Sequence, residues 1–351
     1  MPDQFSLSRR LSGKVRFSGD DLDGDSSLYS PDSERLKSHF FYNDLAITEE
    51  VTPGLHRALS SVLARLSIPG GLVDAFVYPS NDFNAQCYSI DNENCILRFS
   101  SSLIDILTEE EFQFVVGHEI GHFLYLHSFA RLGIGQDSPE FFLKQRNQEI
   151  SADRIGLIGC SSVNASIMAL LKTVSGLNSR HLKFDVGAFL SQLKRIDLES
   201  IRCFSSTHPS ILVRCRSLLW FSTLGIEDLH LLEYNKCDVE KVDSYVQKDI
   251  DAYVDSFLNE KVVQAKQDVR MWSAVFEIVS SGSFNKSDQK EFAEVFGEDL
   301  LDKVVHFLRD YSSSQLEEVS FNKLREARSE LENIIPISFE SEMESLQHWR
   351  N

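Results

Sequence analysis

The stretch EEEFQFVVGHEIGHFLYLHSF, residues 109–129, carries three histidines and four glutamates in an otherwise apolar run. Thr108 and Glu111 have the T-x-x-E spacing of a capping box, and Glu109 and Glu110 place further negative charge in the first turn of a helix. Phe112, Val115, Val116, Ile120, Phe123 and Leu124 recur with helical period and make a broad apolar face, and Gly133 and Gly135 are expected to end the segment. His118 and His122 are four residues apart, so one face of the helix presents both imidazoles to a single ion. Glu119 projects about 100° further round, beside such an ion rather than on it, where its carboxylate can take a proton from a water. Gly121 costs a helix interior about 1 kcal/mol against Ala, which implies a close neighbour. The alternative is an amphipathic helix with polar residues at its edge. Burying two histidines and a glutamate unpaired between apolar residues would be costly, which favours zinc.

A catalytic zinc needs a third protein ligand and an open position. NQEISADRIGL, residues 147–157, offers Glu149, with Asp153 one turn later on the same face. Glu149 would complete a His2Glu set, and Asp153 would orient a ligand histidine. Ala152 is small enough to let the second helix approach the first. The 26 residues between His122 and Glu149 suit a helix-loop-helix hairpin.

The 351-residue chain is 42% hydrophobic and 25% charged, with a net charge of −18 that argues against nucleic acid and anionic lipid as partners. Residues 233–351 carry −11 of that charge. No run approaches the roughly 18–20 apolar residues of a membrane span, and no apolar export segment follows the basic N-terminus. Cys87, Cys95, Cys160, Cys203, Cys215 and Cys237 lack CxxC spacing and read as reduced thiols, so the cytoplasm is the expected compartment.

Three regions are expected. Residues 1–35 are Ser- and Asp-rich and poor in apolar groups, the composition of a disordered tail. Residues 36–228 form an α+β domain, with a helical pattern over 36–67 that restarts at Thr52-Pro53 and stops at Pro69-Gly70-Gly71. Strand-like pieces follow at 72–80, 85–90 and 95–100, read as a small antiparallel sheet. Helices follow at about 109–132, 140–159, 163–174 and 184–195, and another begins after THPS at 207–210. Residues 229–351 are acidic and helical throughout, with breaks at 280–282, 312–314 and Pro336 and a helix capped by Ser287.

HEIGH at 118–122, EISAD at 149–153 and THPSILVR at 207–214 resemble the gluzincin metallopeptidase family of HtpX, the CAAX prenyl proteases and the Oma-type proteases. NAQCYSI from Asn84 is similar to that family's Asn-Ala segment, and the likeness covers about 50–222 in the same order. The resemblance implies one zinc ion per chain held by His118, His122 and Glu149, with Glu119 as general base. Asp153 would hydrogen-bond a ligand histidine, most simply His118, and Arg214 would brace the ligand helix through a carboxylate. His208, helped by Asn84, would stabilise the oxyanion. The strand at 95–100 would bind protein or peptide substrates as an extended strand. His127 fits the family pattern and reads as structural.

Most family members are embedded in membranes, whereas this chain lacks a spanning segment. In place of a familiar partner repeat it carries the acidic helical C-terminal domain, part of which resembles the TerB-type helical domain. That domain is expected to contact a regulatory protein or the peptidase domain itself. The expected function is soluble zinc-dependent endopeptidase; the alternative is a latent or non-catalytic gluzincin domain acting as a regulatory protein-binding module.

Overall fold

The computed structural model describes residues 32–90, 94–125, 138–183, 185–192, 210–225, 236–253, 256–336 and 338–346. The tail expected over 1–35 lies outside the described residues up to residue 31, while Asp32–Glu34 already belong to a helix. His127, Gly133, Gly135 and His208 also lie outside them.

The chain divides into two compact units, the first running to Val254 apart from two short excursions, the second mainly from Asp255 onward. The first unit contains α1 (Asp32–Asn43), β1 (Leu45–Ala46), α2 (Pro53–Arg65), a 3-10 turn (Gly70–Leu72), β2 (Val73–Tyr78), β3 (Ala85–Ser89) and β4 (Cys95–Ser100). After the strands come α3 (Ser101–Ile106), α4 (Glu109–Leu124), α5 (Pro139–Cys160), α6 (Val163–Ser175), α7 (Val186–Leu190), α8 (Ile211–Ser222) and α9 (Lys236–Tyr253). The region between 36 and 67 is therefore not helical throughout: Leu45 and Ala46 pair with Val77 and Phe76 as a short edge strand. Pro53 at the first helical position starts α2, as its fixed φ favours. Of the helix expected over 184–195, the described residues show an α-helix at Val186–Leu190, capped by Asp185, while Phe184 and residues 193–195 lie outside the described residues.

The sheet order is β1-β2-β4-β3. β3 and β4 form an antiparallel pair, with Cys87 opposite Leu97. β2 and β4 are parallel, however, so the sheet is mixed rather than wholly antiparallel. The reason is topological: the link after β2 passes across the β4 position, and β3 then turns back so that β4 fills the gap. One sheet face presents Val73, Ala75, Cys95, Leu97 and Phe99 to the main core, together with α2, α4 and α5 residues. The opposite face packs Phe76, Ile96 and Tyr88 beneath Phe40 and Leu36 of α1. Arg98, also on this face, pairs with Asp44 at 2.7 Å and lies over the rings of Phe40 and Tyr78.

α4 is buried almost all round, so its apolar surface is wider than one stripe, with Phe114 and Gly117 buried beside the predicted face. Its capping box is present: Thr108 Oγ1 accepts from Glu111 N, and the Glu111 carboxylate accepts from Thr108 N at 2.7 Å. The same carboxylate takes the fully buried Lys172 ammonium of α6 at 2.6 Å, and Lys172 also donates to the Ile106 carbonyl. Charge-assisted bonds of this kind satisfy what would otherwise be an isolated buried cation.

The first unit extends past residue 228 because α9 packs on α8. Val242, Val246 and Ile250 of α9 enter the main core, Asp243 pairs with the buried Arg154 of α5 at 2.6 Å, and Asp249 pairs with Arg216 at 2.7 Å.

The second unit is helical: α10 (Ser256–Ser281), α11 (Lys286–Phe296), α12 (Glu298–Asp310), α13 (Ser313–Ile334) and α14 (Phe339–Leu346). α10 packs along α13 around Ala265, Val269, Leu331 and Ile334, while Ala274, Val275, Ile278, Phe292, Phe296 and Val304 form a second cluster. The expected breaks near 281, 312 and 336 are there, and Gly297 adds another at φ +89°, a value that favours glycine. The cap of α11 is Asn285 rather than Ser287. Its side-chain oxygen accepts from Ser287 N and Asp288 N, and Asp288 bonds back to Asn285 N, so the reciprocal box sets the start two residues earlier. No helix among the described residues is long and apolar enough to cross a membrane.

Candidate metal centre

The centre depends on how closely α4 and α5 approach. A Cβ placed on Gly121 would stand 2.8 Å from Ala152 Cα, and one on Gly117 would stand 2.9 Å from Gly156 Cα. Gly156 in turn leaves room for Phe114, whose ring atoms a Cβ there would meet at 2.8 Å. A seam of small residues on both helices thus brings the two backbones into contact, with 117 opposite 156 and 121 opposite 152. This antiparallel register carries Glu149 and Asp153 to His122 and His118.

The donor atoms converge. His118 Nε2 and His122 Nε2 are 3.1 Å apart, His122 Nε2 is 3.5 Å from Glu149 Oε1, and His118 Nε2 is 3.6 Å from Glu149 Oε2. Ligands about 2.1 Å from a tetrahedral zinc stand roughly 3.4 Å from one another. The three separations bracket that spacing, so the residues fit a single small cation at their centre, and they form the one such group found among the described residues. Both histidines are partly exposed while Glu149 is buried.

Behind the donors lies a second layer. Asp153, fully buried, accepts from His118 Nδ1 at 3.0 Å, which leaves the Nε2 lone pair directed at the centre. Arg214 of α8 donates to Asp153 through two nitrogens, Nε at 2.8 Å and Nη2 at 2.6 Å, and its Nη1 is 3.4 Å from Glu149 Oε2. Burial pushes the Asp153 carboxyl up, but Arg214 and then His118 outweigh it and hold its pKa below the ordinary carboxylate value. Burial likewise works against protonated His118, yet Asp153 and Glu149 leave its pKa above the usual one. Arg214 is raised despite its own burial, chiefly through Asp153. Beside it, burial pushes the Cys215 thiol up to about 12.

Glu119 is buried on α4, one residue after His118. Asn84 is not drawn into this cluster by any contact described: its side chain bonds Tyr78, while its backbone exchanges bonds with Ser100. The strand at 95–100 is interior to the sheet, paired on both sides. It therefore has no edge to offer a substrate strand; the edge on that side belongs to β3, which contacts α4. Sequence reading overlooked Gly117 and Gly156, although the four-residue spacings Gly117–Gly121 and Ala152–Gly156 were there to be seen.

Comparison with known proteins bears on the α4 half of this centre. Residues 49–144 match the family described as peptidase family M48. Over that stretch the chain resembles peptidase family M48. The matched residues include His118, Glu119 and His122 and stop just short of Glu149. A relative, the plastoglobule-localized metallopeptidase 48 of Arabidopsis thaliana, is 25% identical over 198 residues. That match takes in 48% of this chain and 58% of the relative, so the chain spans little more than half the length of that protein. No solved structure matches the chain. The M48 likeness covers HEIGH at 118–122, one of the motifs that carry the gluzincin resemblance.

Proposed function

We propose that this chain is a zinc-dependent endopeptidase in which His118, His122 and Glu149 hold the metal. The observation that carries the reading is the set of three donor separations, each near the edge of a zinc tetrahedron, with Glu119 next to one ligand. A zinc ion there would supply a Lewis acid that polarises a scissile carbonyl and acidifies water.

The chain's own residues do the rest. Asp153 fixes the His118 tautomer, and Arg214 keeps Asp153 ionised and in place. Glu119 takes a proton from the attacking water and returns it to the leaving amine nitrogen. His208 is assigned the oxyanion, by its place in the THPSILVR motif. An extended peptide adds to the outer edge of β3, main chain to main chain, which favours unfolded or strand-forming protein substrates. The M48 match and the relative's description as a metallopeptidase support this reading.

The test is metal content by mass spectrometry together with cleavage of denatured casein. The wild-type chain should carry one zinc and cleave, and Glu119→Gln should keep the zinc and lose cleavage by at least a hundredfold. Zinc without Glu119-dependent cleavage would leave only a binding role for the domain. A chain that takes up no zinc would overturn the ligand assignment.

A further inference from the structure

We infer that Asp243 of α9 is a positioning residue for the metal centre, acting through the buried guanidinium of Arg154. The inference rests on the ligand set His118, His122 and Glu149. It extends the support of that set to a helix well outside the stretch that resembles peptidase family M48.

Arg154 directly follows Asp153 on α5, and its side chain is fully buried. Its Nη1 donates to Asp243 Oδ1 at 2.6 Å, and the guanidinium lies 4.9 Å from the centre of the Phe221 ring of α8. Three helices therefore meet at one cation: α5 carries it, α8 supplies a ring and α9 a carboxylate. One residue back along α5, Asp153 joins His118 to Arg214, and five residues back stands Glu149 itself. Behind the donors, buried charges of both signs are thus balanced against each other, Glu149, Asp153 and Asp243 against Arg214 and Arg154.

Without Asp243 that interior would hold one negative charge fewer, while the site has to accept a divalent cation. Charges out of water act on one another far more strongly than charges within it, so the loss would be felt at the centre. A buried guanidinium deprived of the carboxylate facing it also pulls toward water, and Glu149 lies on the same helix. Both effects weaken metal binding although neither Asp243 nor Arg154 is a ligand. The second ion pair of α9 differs in this respect. Asp249 meets Arg216 at 2.7 Å, but the Arg216 side chain is 30% exposed and already reaches solvent.

The experiment measures zinc affinity of the full chain by competition with a chelating dye, alongside the melting midpoint of the zinc-free protein. Asp243→Asn keeps the shape of the side chain and removes its charge, and should lower the affinity about tenfold. Asp249→Asn, which loosens α9 without touching Arg154, should bind zinc as wild type does. Arg154→Met, by removing a positive charge, should bind at least as tightly as wild type, an arm that can be read even if Asp243→Asn does not fold. Adding Arg154→Met to Asp243→Asn should restore affinity to within about twofold of wild type, since nothing is then left for Asp243 to balance. A purely structural role would make the two losses add.

Unchanged affinity in Asp243→Asn, an equal loss in Asp249→Asn, weaker binding by Arg154→Met, or a double variant no better than Asp243→Asn overturns the role of Asp243 and leaves the ligand set standing. Wild type that takes up no zinc overturns the ligand set, and the inference with it.

Discussion

Replacing Gly121 by alanine should move a metal ligand without touching it. The new Cβ would lie 2.8 Å from Ala152 Cα, 3.2 Å from its carbonyl oxygen and 3.2 Å from Ile155 Cβ. Carbon atoms prefer about 3.5–4.0 Å, so α5 must back away from α4 by roughly 0.7–1 Å at this point. Glu149 sits less than one turn along from Ala152 and would be carried with it. Its separations from the two imidazoles, now 3.5 and 3.6 Å, would stretch beyond 4 Å by roughly that displacement, past the roughly 3.4 Å of a zinc tetrahedron. The two histidines share α4 and keep their spacing. Stability should change less than function: overpacking costs about 1–3 kcal/mol, and alanine returns about 1 kcal/mol of helix propensity. Zinc affinity, measured by competition with a chelating dye, should fall about 10- to 100-fold, the range seen when a ligand's support is disturbed. Gly117→Ala meets Gly156 Cα at 2.9 Å, one turn further from Glu149, and should cost stability with a smaller loss of zinc. If Gly121→Ala binds zinc as tightly as wild type, the seam does not set the ligand geometry and the reasoning fails.

Arg214→Met should destabilise the fold by about 3–5 kcal/mol in urea melts, because it leaves the Asp153 carboxylate charged and buried beside only His118. An unchanged melt would mean that the bidentate pair contributes little. A chain ending at Val254 should retain a folded first unit by circular dichroism and amide exchange, whereas one ending at residue 228 should not. The shorter chain loses Val242, Val246 and Ile250 from the core, each worth about 1.5–3 kcal/mol, against a total stability of about 5–15 kcal/mol. Alkaline conditions should weaken the fold. An unfolded thiol loses its proton near pH ~8.5, whereas the folded Cys215 thiol holds its own to about 12. The unfolded state thus binds fewer protons across that window, and Cys215 lowers stability by up to about 1.4 kcal/mol per pH unit as pH rises. Cys215→Ser should flatten that dependence, and an equal slope in both proteins would count against it.

Much of the site was legible because its signals are local. The spacing of His118 and His122, the Thr108–Glu111 box and the Glu149–Asp153 pair each act within four residues, the reach over which helix geometry dictates which side chains share a face. The strand segments at 73–78, 85–89 and 95–100 showed in the same way, through β-branched and aromatic residues between turn residues. Strand order did not. Nothing in the residues of β2 and β4 states that they pair in parallel, since that follows from which side of β4 the earlier strand β3 takes. The same distinction explains why residues 95–100, expected to offer an edge to a substrate, lie inside the sheet.

By itself, then, the sequence determined the helices, their caps and the kinds of atom available to a metal, all properties of short stretches. The His118–Asp153 bond across 35 residues follows from the family resemblance rather than from any short stretch, and only the tertiary structure decided that the carboxylate taken by Arg214, across 61 residues, is Asp153. It also decided that Lys172 closes on Glu111, and that α9 belongs with the first unit. Those pairings depend on how closely whole helices can approach, and in α4 and α5 that distance is set by hydrogen atoms standing where side chains would otherwise be.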